Sequence, residues 1–193
     1  PDASTLSIVG TGRVASVLAH AYRAVRAIRC VRVWGRDPSR ASALVERLRT
    51  EGFDAEVATD LEVAVRTADI VACATLSTEP LVRGRWLRPG VHLDLIGAFA
   101  PGMRESDDEC FRGSSVFVDT YEAESKAGDL VSPLRHGVLG ERDILARLEE
   151  LCRGVHPGRR REHEITVFKS VGTALEDLTA AVLVYETALA RSM

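Results

Sequence analysis

No apolar run in this 193-residue sequence approaches the roughly 18 residues that cross a bilayer, so no membrane-spanning helix is expected. No secretory signal pattern is visible either. A dominant charge is also lacking. The sequence carries 25 Lys and Arg against 28 Asp and Glu, a net charge of −3. That balance argues against nucleic acid or an anionic membrane surface as partner. Cys30, Cys73, Cys110 and Cys152 lie far apart with no CxxC pair. His20, His92, His136, His156 and His163 form no HExxH-type spacing, so no metal site is expected. Spread, unpaired cysteines suit a reducing cytoplasm.

What is present is a hydrophobic content of 46%, enough for one full core. Short apolar runs alternate with amphipathic stretches, the pattern of an α/β doubly wound parallel sheet. Strands are expected near Thr5–Val9, Val31–Trp34, Ala55–Ala58, Ile70–Ala74, His92–Ile96, Val116–Val118 and Ile165–Lys169. Val14, Val17, Leu18, Ala21 and Val25 predict the buried stripe of a first helix, and Ala41, Leu44, Val45 and Leu48 that of a second. Asp37-Pro38 and Asp60 read as helix starts. Further helices are expected over Glu122–Ala127, ending at Gly128, over Ile144–Cys152 and over Thr173–Ala190. Residues 154–161 read as a loop whose arginines are solvated.

The most informative segment is Ile8-Val9-Gly10-Thr11-Gly12-Arg13-Val14-Ala15. A strand runs into Gly-x-Gly-x-x-Ala and a helix comes directly after, the setting of a Rossmann dinucleotide-binding turn. Gly10 permits the tight turn, Gly12 lets a pyrophosphate approach, and Ala15 keeps helix close to strand. The amides of the first helical turn, from Thr11 through Arg13 and Val14, face the phosphates. An acid that holds the adenosine ribose is expected about 20 residues later. That position is Gly35, and Arg36 is next in the chain. Arginine pairs with a 2′-phosphate, so NADP(H) is preferred over NAD(H), with Arg36 as discriminator and Ser39 or Arg40 assisting. Asp37 keeps NAD(H) open, since a small register error makes it the ribose acid. Thr75, Leu76 and Gly97 fall at the carboxyl edge of the sheet, where small residues leave room for the nicotinamide ribose. The Ser170-Val171-Gly172 turn offers amides to the nicotinamide end. Asp119 reads as a cap for the segment after its strand, Glu176 and Asp177 as favouring a helix dipole, and Asp94 as an acid needing a partner.

Four stretches together resemble the ornithine cyclodeaminase/mu-crystallin family. They are Ile8 to Gly12; Ala68-Asp69-Ile70-Val71 through Thr75 with Glu79-Pro80; Gly97 to Glu105 with Val116 to Asp119; and Ile165 to Leu178. The resemblance implies an NAD(P)-dependent oxidoreductase acting on a small imino or amino acid, and a homodimer when full length. It also implies an amino-terminal domain with the substrate pocket, most of the dimer interface and a lysine near the reacting carbon. Residues 1–193 then form the cofactor half, inactive alone, with 165–193 docking on that domain. Where ornithine cyclodeaminases carry a proton-transferring aspartate, this sequence has Phe99. A phenyl ring accepts no proton, so the resemblance implies reduction of a ketimine or cyclic imino acid such as Δ1-pyrroline-2-carboxylate. The alternatives are ornithine cyclodeaminase (ornithine to proline plus ammonia), an alanine-dehydrogenase-like enzyme, and an NADPH-dependent ligand-binding protein of the mu-crystallin kind.

Overall fold

Apolar strands too short and too hydrophobic to face water on either side need cover on both faces. The computed structural model, which describes residues 2–192, provides it. Strands β1 (Thr5–Val9), β2 (Cys30–Trp34), β3 (Asp54–Val57), β4 (Ile70–Cys73), β5 (His92–Leu95), β6 (Ser115–Val118), β7 (Ile144–Arg147) and β8 (Thr166–Lys169) form one sheet. Its order is β3-β2-β1-β4-β5-β8-β6-β7, and every pairing is parallel. This is the doubly wound α/β architecture expected.

The two-residue period of the strands sorts the core. Leu6, Ile8, Ile70 and Ala72 point to one face, where helices α1 (Ala15–Val25) and α2 (Pro38–Thr50) cover them. Val9, Val71, Cys73, Leu93, Leu95 and Val167 point to the other. There α3 (Leu61–Arg66), α4 (Ala123–Lys126) and α5 (Gly128–Arg135) contribute Val65, Ala123, Ala127 and Leu130. The helix starts obey side-chain chemistry. Asp37 Oδ1 accepts the Ser39 amide at 2.9 Å, and Asp60 Oδ1 accepts that of Val63 at 3.1 Å. The helix α7 (Ala174–Ser192) opens on a reciprocal cap, Thr173 N to Glu176 Oε2 and Glu176 N to Thr173 Oγ1.

Several expectations are corrected. In α1 the buried residues are Ala15, Leu18 and Ala19, while Val14, Val17 and Val25 are exposed. The close helix–sheet approach admits small residues, which turns the contact stripe away from the valines. Ile144–Arg147 is the edge strand β7, not the start of a helix; Ile144 and Ala146 are buried between exposed or half-buried neighbours, a period of two. Only Leu148–Cys152 (α6) is helical. Gly128 begins α5 rather than ending α4. A Cβ on Gly128 would lie 2.1 Å from the Met103 carbonyl oxygen, so a close backbone approach requires glycine there. Asp94 finds its partner in Tyr22, whose hydroxyl donates at 2.6 Å and ties α1 to β5. Arg159 is no loose cation; it donates to the Val91 carbonyl and Thr166 Oγ1 at the amino-terminal edge of the sheet.

Burial raises Asp94 above its ordinary pKa even with the Tyr22 bond. Tyr22→Phe leaves that carboxyl without its donor, and unfolding in urea should register a loss of about 1–3 kcal/mol.

Candidate dinucleotide-binding site

Parallel strands send their carboxyl ends to one edge, and the chain leaves β1 for β2 on one side and reaches β4 on the other. The crevice between β1 and β4 is therefore a topological switch point, where α/β sheets bind ligands. The glycine turn sits at its mouth. Gly10 has φ +129° and donates its amide to the Trp34 carbonyl at 2.8 Å. A Cβ on Gly10 would lie 2.5 Å from the Ala74 carbonyl oxygen, so the turn needs glycine both for conformation and for space. Gly12 is different: a Cβ there meets nothing within 4 Å. Its lack of a side chain serves no internal contact and leaves open space before the first turn of α1. Among the described residues no acceptor takes the amides of Gly12 or Arg13. Exposed Arg13 and Val14 flank that opening. The turn thus fits a pyrophosphate, and this fit rests on geometry alone.

At the adenosine end, Gly35 presses against the turn: a Cβ would lie 2.6 Å from Thr11 Cγ2. The expected ribose acid is absent from a place that has little room for one. Arg36 is exposed and takes part in no hydrogen bond or ion pair among the described residues. Asp37 is committed to α2, with Oδ2 facing Arg40 Nε at 3.5 Å. A depression of 260 Å³ between α1 and α2 is lined by Thr11, Ser16, Arg40 and Arg47 among others. Sequence reasoning missed Arg47, although it lies two turns beyond Arg40 on the same helix face. A second depression, of 310 Å³, is lined by Phe111, Ser115 and Asp143 at the opposite, amino-terminal edge.

On the other side of the crevice, the residues expected at the nicotinamide end are held from behind. Thr75 donates its amide (2.6 Å) and hydroxyl (2.8 Å) to Glu105 Oε1. Gly97 does not leave room for a ligand: a Cβ would lie 2.1 Å from the Thr75 carbonyl oxygen and 2.4 Å from Glu105 Oε1, so protein atoms fill that space. Leu76 and Phe99 stand exposed at this edge, and Ala98 between Gly97 and Phe99 has φ +50°. The amides of Val171 and Gly172 are already spent, both donating to Asp119 Oδ2 at 2.7 Å. Asp119 therefore braces the turn after β8 as well as accepting the Thr120 amide at 2.7 Å. Lys169, fully buried, donates to the carbonyls of Leu95 and Gly97. Glu105 and Asp129 escaped sequence reasoning because nothing local marks their charges as buried, and Lys169 escaped it too. A charge inside an apolar strand run, as at Lys169, was the available signal.

Asp119→Ala removes the acceptor of two amides in one turn. Hydrogen exchange at Val171 and Gly172 should quicken, and stability should fall by about 1–3 kcal/mol. Unchanged exchange at both would refute the bracing role.

Among the described residues no helix is long and apolar enough to cross a membrane, and no group of three His, Cys, Asp or Glu is placed to hold a metal. Similarity to known proteins points the same way as the turn. The Δ1-pyrroline-2-carboxylate reductase of Paracoccus denitrificans is 44% identical over 94% of this chain and 58% of its own length. The Thermococcus litoralis Δ1-pyrroline-2-carboxylate reductase, solved with NADH and L-proline, superposes with a TM-score of 0.95 at 35% identity, covering 100% of this chain and 60% of that one. An archaeal alanine dehydrogenase dimer with bound NAD superposes at 0.91 with 31% identity, covering 99% and 59%. The chain thus spans about three-fifths of the length of the relatives it matches. The profile of the ornithine cyclodeaminase/mu-crystallin family matches residues 1–192, and the chain belongs to that family.

Proposed function

We propose that this chain is the dinucleotide-binding part of an NAD(P)-dependent oxidoreductase that reduces a ketimine or cyclic imino acid, with Δ1-pyrroline-2-carboxylate as the first candidate. The observation that carries the reading is the open space at Gly12, at the switch point of the sheet, in a chain 44% identical to a reductase of that substrate. Phe99 favours reduction over ornithine cyclisation, since no carboxylate stands where the family resemblance places the cyclodeaminase aspartate.

In this reading Gly10, Thr11, Gly12, Arg13 and Val14 hold the pyrophosphate. Arg36 and Arg40 face the adenosine 2′-position, which favours NADP(H) over NAD(H). Thr75, Leu76, Gly97, Val171 and Gly172 shape the nicotinamide end; because the last two amides are spent on Asp119, carbonyls and side chains do the work there. Bound in this crevice, the reduced nicotinamide supplies a hydride to a C=N carbon. The residues of the crevice would orient that ring, and exposed Phe99 would offer an apolar side chain at its edge. Helix α7 exposes Leu175, Leu178, Val182, Tyr185 and Leu189, an apolar face suited to packing on a substrate and dimerisation domain. The four cysteines are free, which suits a cytoplasmic enzyme.

Three measurements test the reading. Gly12→Ala meets no protein atom, so folding should be unaffected while dinucleotide affinity falls about tenfold or more; unchanged affinity would remove the turn from the site. Arg36→Ala should weaken NADPH about tenfold and spare NADH, the loss of one charge-assisted contact; equal effects on both would return the ribose to Asp37. Full-length protein should oxidise NADPH in the presence of Δ1-pyrroline-2-carboxylate. Ammonia release from ornithine instead would favour the cyclodeaminase, and tight ligand binding without turnover the mu-crystallin alternative.

A further inference from the structure

Behind the nicotinamide edge lies a group of charges that the proposed chemistry does not use. Glu105, Asp129 and Lys169 are all 0% exposed. Burying an ion carries a penalty of several kcal/mol, which an apolar replacement avoids, so such a cluster is poor evidence of a stabilising device. Nor are these groups closely paired: Lys169 Nζ lies 3.9 Å from Asp129 Oδ2. Their short contacts go instead to the backbone of the crevice loops. Glu105 Oε1 takes the amide and hydroxyl of Thr75. Lys169 takes the carbonyls of Leu95 and Gly97. Asp129 Oδ1 accepts the amides of Glu105 and Ser106 at 3.0 and 2.9 Å and the Ser106 hydroxyl at 3.0 Å. Glu105 is therefore clamped at its own backbone while its carboxylate reaches between Thr75 and Gly97. The missing Cβ of Gly97 is what admits it. Among the described residues, Glu105 Oε2 and Asp129 Oδ2, both buried, have no hydrogen-bond partner.

We propose that Glu105 is a positioning residue for the nicotinamide end of the crevice, setting the loops after β4 and β5 through Thr75 and Gly97. This deepens, and rests on, the dinucleotide-binding reading above. Asp129 and Lys169 fix the position of Glu105 and of the Gly97 carbonyl from below. The groups facing the Glu105 carboxyl are Asp129 on α5, Lys169 on β8 and Cys73 on β4; Arg104, on its own segment, faces Asp129 instead, with Nε 3.7 Å from Asp129 Oδ1. Burial first, and the Asp129 charge second, push Glu105 up to about 7, with Lys169 opposing. A carboxyl raised in the folded state binds a proton more tightly there than in the unfolded chain. The stabilisation it gives is present at low pH and is lost as pH rises from the ordinary 4.5 to about 7.

The experiment is a fluorescence titration of the protein, Glu105→Ala, Glu105→Gln and Thr75→Val with NADPH and NADH, beside melting curves from pH 5 to 8. Glu105→Ala should weaken both dinucleotides about tenfold, at a temperature where circular dichroism shows it folded. Glu105→Gln keeps an oxygen acceptor for Thr75, so it should recover most of that affinity, and its stability should fall less steeply between pH 5 and 7, since the raised Asp94 and Asp129 remain. Thr75→Val removes the hydroxyl bond to Glu105 together with the acceptor of the Ser77 amide and should weaken both dinucleotides by a smaller factor; if Glu105→Ala does not fold, Glu105→Gln read beside it carries the test. If Glu105→Ala binds both as tightly as the unaltered protein and merely melts lower, or Thr75→Val binds unchanged, the inference fails while the functional reading stands. If the unaltered protein binds neither dinucleotide, the functional reading itself fails and takes this one with it.

Discussion

Eight parallel strands deliver their carboxyl ends to a single edge, and that shared direction is the constraint on which the rest of the molecule depends. Each strand end brings backbone groups that must be satisfied without closing the crevice. Near β1 the solution is to leave amides free: Gly12 and Arg13 face open space at a helix start. On the far side of the crevice it is the reverse. Lys169 donates to the carbonyls of Leu95, which ends β5, and of Gly97 after it, while Glu105 accepts the amide after β4 and Asp119 the two amides after β8. One half of the crevice is thus left unsatisfied, and the other is braced by ionisable side chains from within.

That division bears on dynamics. A turn held by backbone bonds to a buried carboxylate opens only when the carboxylate is exposed, whereas an exposed loop opens freely. The loops after β4 and β8 each carry such a bond, and the Lys169 ammonium holds the loop after β5, so this side of the crevice is the stiffer one. The start of α2 rests on surface contacts, such as the 3.5 Å pair of Arg40 with Asp37. Surface pairs of this kind contribute little to stability, and that end is free to rearrange around a ligand.

The fold was legible wherever period and punctuation agreed. Asp37-Pro38, Asp60 and the glycine turn carry their own local chemistry, and the structure uses them as read. Legibility failed where a distant contact decided. Gly128 looks like a helix stop in sequence, yet it is glycine because the Met103 carbonyl comes within reach of its Cα. Ile144–Arg147 has helix-compatible spacing but is drawn into the sheet by pairing with β6. At the site, the glycine turn was plain, whereas the brace was not. Glu105 lies 30 residues from Thr75, and Asp119 lies 52 and 53 from the amides it holds. A spacing rule sees only neighbours along an element, so partners separated by whole strands stay invisible to it.

The choice of dinucleotide turns on whether one carboxylate can serve two masters. Asp37 holds the start of α2 through Oδ1, and its other oxygen faces Arg40. Gripping a ribose would mean releasing a cap that contributes about 0.5–2 kcal/mol, or sharing oxygens already engaged. Arg36 has no such commitment among the described residues. On α2, Arg47 is tied to Glu51 at 3.6 Å and Arg40 to Asp37 at 3.5 Å, while Arg36, just before the helix, has no acidic partner among the described residues. The unpaired charge that remains is positive. A 2′-phosphate would meet it favourably and a bare ribose hydroxyl would leave it unanswered, which is the physical ground of the proposal that the phosphorylated dinucleotide is preferred.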